Sequence, residues 1–417
     1  MLFKFLGGAR EVGRSAVLLQ DGKNILFDYG IKVGDKPAYP LTPPRVDAVV
    51  LSHAHLDHSG SVPMIYNDTL VPTFGTPPTL KLSELLLDDS LEIARKEHFQ
   101  PKFHKRQVAS LMNRYIGMGY HSKSELGDFS IELYDAGHVS GSAITLLERK
   151  KAKDNRRIVY TGDYKLEEQY LHKGAEIVRS DILVTESTYA LREHPDRNVL
   201  IDKLINDIRT TLDNGGTALL PVFAVGRSQE MLSILYKHRL TPMTYVDGMA
   251  RAATSIILKY QGFIKHEAVL SKAVEESMAI QDKRDRKGAL DEPSIILTTA
   301  GMLNGGPVLN YITKLNKNSK IMITGYQVEG TNGRNLLNRG QIVIDGNPVR
   351  ISTPTEYYDL SAHAGREDLY KFIKQSGPRV VICVHGDEKS TTTLAESLKL
   401  EGFETYAPKI GDVIRLE

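Results

Sequence analysis

Tryptophan is absent from these 417 residues and cysteine occurs once, at Cys383. One thiol excludes an internal disulfide and fits a reducing compartment, and its place in the apolar run Val380-Val381-Ile382-Cys383-Val384 reads as packing rather than chemistry. No apolar run is long enough to span a bilayer, and Met1-Leu2-Phe3-Lys4-Phe5 alternates like a strand rather than a signal peptide. Secretion and membrane insertion are thereby disfavoured, and a cytoplasmic location is expected. Aromatic residues make up 7% of the chain, so an extended base-stacking platform is not evident. Neither charge dominates: 53 Lys and Arg against 51 Asp and Glu leave a formal +2, and any surface for a polyanion must be local. The densest basic run, residues 149–157, lies between two strand-like runs and reads first as a solvated hairpin loop. Lys102, Lys105 and Arg106, near His98 and His104, read first as a solvated helix face.

Histidine is concentrated in one place. Ser52-His53-Ala54-His55-Leu56-Asp57-His58-Ser59-Gly60 follows the apolar Val49-Val50-Leu51 and sets three imidazoles and a carboxylate within six positions. A solvated loop has no reason for that spacing at the end of a buried strand, whereas a metal nest requires it. Further donors also end apolar runs: His138 after the run from Ile131, Asp163 after Ile158-Val159-Tyr160-Thr161-Gly162, and His385 after Val384. Any one alone would pass as a satisfied core or surface residue. Together they supply two ions: His53, His55 and His138 would hold the first, Asp57, His58 and His385 the second, with Asp163 bridging. Two such ions about 3.5–4 Å apart suit in-line displacement at a phosphodiester.

The organisation is that of a domain within a domain. As far as Thr185 the strands are short β-branched runs, interrupted by one helical stretch with Leu82, Leu85, Leu86 and Ile93 on one face. After Tyr189, helix and strand alternate: the stripe Ile201, Leu204, Ile205, Ile208, Leu212 stops at Asn214-Gly215-Gly216, and Thr217-Ala218-Leu219-Leu220 follows as a buried strand. Alternation through Ile295-Ile296-Leu297 and Ile321-Met322-Ile323 predicts a mostly parallel sheet flanked by helices. Because His385 lies beyond this block, the chain must return to complete the nest. The exit is placed at 186–189 and the return at 352–356, giving segments 1–187, 188–352 and 353–417.

Here the chain resembles the metallo-β-lactamase superfamily, whose His-x-His-x-Asp-His signature is matched by His53, His55, Asp57 and His58, and whose later ligands match His138 and Asp163. Asp28, ending Ile25-Leu26-Phe27, matches an early acidic residue of the family; locally it reads equally as a turn residue before Gly30 or as an acceptor for a ligating His. Thr185-Glu186-Ser187-Thr188-Tyr189, Ser361-Ala362-His363-Ala364-Gly365 and Val384-His385-Gly386-Asp387 resemble motifs A, B and C of the β-CASP nuclease group. Gly7-Gly8-Ala9-Arg10-Glu11-Val12-Gly13, Pro221-Val222-Phe223-Ala224-Val225-Gly226-Arg227 and Gly301-Met302-Leu303-Asn304-Gly305-Gly306-Pro307 support this along nearly the whole chain. Within the group the chain is most similar to archaeal homologues of the cleavage and polyadenylation specificity factor endonuclease, in the form without N-terminal KH domains.

The resemblance implies an α/β fold, a metallo-β-lactamase αββα sandwich with an inserted β-CASP α/β domain. It implies two Zn2+ per chain and hydrolysis of single-stranded RNA, endonucleolytic with possible 5′-to-3′ exonuclease action. His363 would protonate the leaving oxygen, oriented by Glu186; in isolation His363 reads as a cap before the helix from Arg366. Arg227, Asn304, Gly305, Gly306 and Ser361 are the candidate substrate contacts, with Arg227 divided between a phosphate and an internal pair with Glu230. A homodimer is expected, with Val381 or Val413-Ile414-Arg415-Leu416 at its interface, and RNA-processing or exosome-like partners are left unidentified. The rivals are a 5′-to-3′ exoribonuclease of the ribonuclease J type, a small-molecule hydrolase, a nuclease acting on DNA and a non-catalytic RNA-binding scaffold.

Overall fold

The computed structural model describes residues 1–34, 37–66, 71–150 and 155–417, so positions 151–154 of the basic run lie outside the described residues. The chain forms two compact units, one of residues 1–168, 172–193 and 362–417, the other of 169–171 and 194–361.

The first unit is built on two seven-stranded sheets. One runs Val413–Arg415, Leu2–Gly7, Ala16–Gln20, Asn24–Phe27, Ala48–Val50, Thr73–Gly75, Tyr115–Gly117; the other runs Glu404–Tyr406, Val380–Val384, Ile182–Glu186, Arg157–Tyr160, Ala143–Arg149, Phe129–Asp135, Lys123–Leu126. Side chains alternate across a strand, so Val17 and Leu19 enter the layer shared with Phe129, Ile131, Val184 and Ile382. Ala16 and Leu18, out of phase, meet Leu87 of helix Pro77–Lys96 and Val108 and Leu111 of helix Lys105–Arg114. On the far side Leu146, Val159, Leu183 and Val381 pack on Leu369 and Phe372 of helix Arg366–Ser376 and on Leu394 and Leu398 of helix Glu388–Leu400. Both faces of each sheet are thus covered, and the strands read as unbroken apolar runs for that reason. The layers follow the order helix, sheet, sheet, helix.

Two expectations are corrected. The first long helix buries Leu82, Leu87 and Ala94, while Ile93 is 42% exposed, because the helix packs on a face rotated from the stripe drawn through its leucines. Val381 has no exposed surface and is unavailable to a second subunit; Val413, on an outer strand, is 47% exposed.

The second unit has a six-stranded sheet ordered Met278–Ala279, Thr244–Asp247, Ser294–Thr298, Thr217–Pro221, Lys320–Ile323, Thr355–Tyr357, with every pairing parallel. Ile201, Leu204, Ile205, Ile208 and Leu212 are the buried face of helix Arg197–Asp213, which Asp196 caps through Val199 N–H. Thr355–Tyr357, overlapping the 352–356 read from sequence as the return, pairs with Lys320–Ile323 as the outermost strand of this sheet, and the unit continues to Ser361.

Candidate metal centre

The register of the first unit explains how distant residues meet. Arg157–Tyr160, Ile182–Glu186 and Val380–Val384 are parallel neighbours, with Tyr160 opposite Val184 and Val184 opposite Ile382. Phe129–Asp135 recovers the same direction through two antiparallel steps. Asp163, Glu186, His385 and His138 therefore leave one edge of one sheet. In the facing sheet, Asn24–Phe27 and Ala48–Val50 are parallel and deliver Asp28 and the loop from Ser52.

That loop is folded tightly under the strand ends. His58 lies in the short helical turn Leu56–Ser59, and Gly30 approaches so closely that a Cβ there would stand 1.7 Å from the Asp57 carbonyl oxygen. Asp28 and His385 adopt left-handed backbone, at φ of 55° and 47°, which places each side chain at a sharp turn directly after its strand.

The donors fall into overlapping groups: His53, His55, His138; Asp57, His58, Asp163, His385; and His138, Asp163, His363, with the ligand atoms in each all within 4.8 Å of one another. Within the first, His55 Nδ1 is 3.1 Å from His53 Nε2 and 3.2 Å from His138 Nε2. Within the second, Asp163 Oδ2 is 3.2 Å from His58 Nε2, Asp163 Oδ1 is 3.0 Å from His385 Nδ1, and His385 Nε2 is 3.4 Å from Asp57 Oδ2. Asp163 Oδ2 also lies 3.7 Å from His53 Nε2, so this carboxylate stands between the groups.

Hydrogen bonds behind the rings decide which nitrogen faces inward. His53 Nδ1 meets Ser52 Oγ at 3.1 Å, His58 Nδ1 meets Asp28 Oδ2 at 2.7 Å, and His138 Nδ1 meets the Ala362 carbonyl at 2.8 Å. With their protons spent on these acceptors, all three rings turn an Nε2 lone pair toward the centre. His58 Nε2 and Asp163 Oδ1 are buried and make no hydrogen bond among the described residues. Converging lone pairs at 3.1–3.2 Å repel unless a proton or cation sits among them, and imidazole nitrogen with carboxylate oxygen is the donor set of a divalent transition metal. The residues fit such an ion.

The electrostatics divide the nest. Burial, with neighbouring imidazoles, holds His53 and His138 well below the usual histidine range. Burial also depresses His58 and His385, but Asp163, with Asp28 and Asp57 beside His58 and Asp57 beside His385, outweighs it; His58 is raised well above its ordinary value and His385 to about 10. One side is thus a set of neutral nitrogen donors, and the other is rich in carboxylate charge.

His363 stands at the rim. Its Nε2 lies 3.9 Å from Asp163 Oδ2, and its Nδ1 lies 3.1 and 3.0 Å from the two oxygens of Glu186. Glu186 is buried and also accepts the Tyr164 N–H at 2.9 Å. Burial pushes the His363 imidazolium down, and Glu186 and Asp163 more than reverse that.

Sequence reasoning missed the supports. Ser52, through N–H and Oγ, and Tyr160, through Oη, all donate to Asp28, at 2.7, 2.7 and 2.8 Å. Ser142 Oγ accepts the His138 N–H at 3.1 Å. The one available signal was position: Ser52 and Tyr160 each sit a few residues before a ligand candidate at a strand end.

The candidate substrate contacts all belong to the second unit. Arg227 opens helix Arg227–Lys237 behind Gly226 at φ 90° and is buried. Glu230, one turn on, binds Arg197 at 2.5 Å and the N–H groups of Tyr170 and Leu171. Asn304 Oδ1 accepts the Asn332 N–H at 2.7 Å, which shapes the glycine-rich turn. Gly305 is open, with nothing within 4 Å of a Cβ, and Gly306 stands at φ 74°. The helix after this turn is a single turn, Leu309–Ile312, too short to give a strong anion-binding N-terminus. Ser361 is buried at the unit's last position.

Sandwich and nest together define a metal-dependent hydrolase. Three families match the chain: the metallo-beta-lactamase superfamily over residues 9–108, the Beta-Casp domain over 228–336, and the Zn-dependent metallo-hydrolase RNA specificity domain over 348–408. Among curated proteins the chain is 38% identical to "Probable RNase MJ4" of Methanocaldococcus jannaschii, covering 99% of each. It is 35% identical to "RNase aCSPSF2" of Saccharolobus solfataricus, covering 99% of this chain and 85% of that one. It is 33% identical to "Transcription termination factor FttA" of M. jannaschii, covering 99% and 71%. A crystal structure of a protein of unknown function from Enterococcus faecalis shares the fold, with a TM-score of 0.63 at 17% identity over 100% of this chain and 99% of that one. The chain belongs to the β-CASP branch of the metallo-β-lactamase superfamily, together with these archaeal relatives of the cleavage and polyadenylation factor.

Proposed function

We propose that the chain is a zinc-dependent ribonuclease that hydrolyses phosphodiester bonds of single-stranded RNA, within the strand and also from the 5′ end, in RNA processing or decay. His53, His55 and His138 would hold one Zn2+ and Asp57, His58 and His385 a second, with Asp163 standing between the two groups. Bound there, the two cations supply a nucleophile from water near neutral pH and polarise the phosphodiester.

The observation that carries the reading is the His363–Glu186 pair at the rim of the nest, with Nε2 turned inward and Nδ1 held at 3.0 Å. A ribose oxygen leaves phosphorus poorly unless it is protonated. His363 gives it the proton from Nε2, while Glu186 keeps Nδ1 protonated and the ring aimed. Asp28, fixed by Ser52 and Tyr160, does for His58 what the Ala362 carbonyl does for His138: it sets the tautomer and the angle of the ring. In the second unit, Gly305 offers open backbone to a phosphate, Gly306 carries the turn onward at φ 74°, Asn304 shapes it, and Arg227 and Ser361 complete the grip. The RNA specificity family matched at 348–408 and the relatives named RNase support RNA as the polymer. A homodimer belongs to the same reading, with the strand Val413–Arg415 as its available edge.

Metal removal tests it. Protein stripped by a chelator is expected to leave single-stranded RNA intact and to recover cleavage when Zn2+ is returned; cleavage that survives stripping would overturn the reading.

A further inference from the structure

We propose that the outer edge of the second unit's sheet carries an accessory site for an unpaired nucleotide of the RNA strand, an inference that rests on the ribonuclease reading. A cleft of about 410 Å³ lies there, lined by Tyr245, Met278, Ala279, Arg284, Asp285 and Gly288 among others. That volume is in the range of small-ligand pockets. The strand Met278–Ala279 ends the sheet, and no described strand pairs with its outer side.

Each wall offers something a nucleotide uses. Tyr245 is paired in register with Met278, which sets a half-buried phenol ring beside a thioether at one end of the cleft. A base can stack on that ring whatever its identity. Ile280 N–H is spent on the Val246 carbonyl at 3.0 Å, so Ala279, one residue earlier and exposed, turns its own N–H and C=O outward, where they meet a base edge. Gly288 has nothing within 4 Å of a Cβ and leaves its wall open.

Charge completes the match. Helix Lys283–Asp291 brings Lys283, Arg284, Arg286 and Lys287 against Asp282 and Asp285 in its cap and first turns. Arg286 is committed to Asp247 at 2.7 and 3.1 Å. Asp285 Oδ2 is occupied by the N–H groups of Gln281 and Asp282, and Asp282 Oδ1 by those of Arg284 and Asp285. Asp282 Oδ2 is 3.7 Å from Arg284 Nε, yet the Arg284 side chain is 94% exposed and able to move to a phosphate. A peptide adding a strand would find an edge of two residues and a cationic helix instead of alternating apolar pockets, so RNA is the better fit.

The test is equilibrium binding of a fluorescent single-stranded RNA 20-mer to full-length, metal-loaded protein, followed by anisotropy across a salt series. All forms carry His363→Ala so that the strand stays intact. Tyr245→Leu and the exposed double variant Arg284→Glu/Lys287→Glu are each expected to weaken binding about tenfold, and the double variant to reduce the salt slope by about 1.4. Circular dichroism on Tyr245→Leu separates a lost stack from a lost fold. RNA bound equally by all forms, with one salt slope, overturns the accessory site and leaves the ribonuclease reading standing. No RNA bound by any form, with none cleaved by metal-loaded protein that retains His363, removes that reading itself. An acidic peptide bound at this cleft in place of RNA would reassign it to a protein and also overturn the proposal.

Discussion

Glu186 faces His363 with both carboxylate oxygens, at 3.1 and 3.0 Å from Nδ1, although 177 positions separate the two in sequence. Glu186 ends the strand Ile182–Glu186, and His363 stands just ahead of helix Arg366–Ser376. Its orientation is independently fixed by the Tyr164 N–H, so the carboxylate acts as a rigid support for the imidazole.

Glu186→Gln keeps the shape and an acceptor but removes the charge that holds Nδ1 protonated. We expect RNA cleavage to slow by roughly a hundredfold with bound metal unchanged. Parallel single-turnover rates and metal analysis check this; equal loss of metal and rate would make Glu186 part of the nest instead.

Asp28→Asn tests the layer behind the metal. Asn tolerates the left-handed backbone at this position, so the turn survives, but all four donors from Ser52, Tyr160 and His58 lose a charged acceptor, and those that meet the amide NH2 lose the acceptor itself. Metal affinity is expected to fall about 10–100-fold in chelator competition, with the fold retained.

Asp135 provides a pH dependence outside the nest. Burial raises its carboxyl to about 6, above the ordinary 3.8, against the Gly137 N–H, which favours the charged form. The folded state therefore holds this proton more tightly than the unfolded one. Its stabilising effect is complete below about 4 and is lost as pH rises through about 6. Relative to Asp135→Asn, the parent protein should lose stability between pH 4 and 7 in chemical denaturation; a constant gap would contradict this.

Much of the nest was legible because parallel strands in register deliver their C-terminal residues to one edge, and apolar runs ending in His or Asp mark those deliveries. Asp28 was ambiguous locally, since a turn Asp before Gly30 looks the same whether or not Ser52, Tyr160 and His58 converge on it. The buried face of helix Pro77–Lys96 was misjudged because leucines fill more than one side of it, and only packing selects Leu82, Leu87 and Ala94. Thr355–Tyr357 carries little apolar signal, so its pairing with Lys320–Ile323 depends on tertiary context that spacing does not encode. The supports of the candidate ligands, Ser52, Tyr160 and the Ala362 carbonyl, are ordinary residues whose importance lies in where a partner from another strand or loop arrives.

The central claim is hydrolysis of RNA with His363 as the proton donor. Its most direct measurement is a digestion time course with Zn2+-loaded protein on one single-stranded RNA labelled in turn at its 5′ and 3′ ends, beside His363→Ala with matched metal content. The account predicts discrete internal fragments from the parent and a rate lower by roughly 10²–10⁴ in the variant. Intact RNA in every lane, or cleavage equally fast without His363, would contradict it.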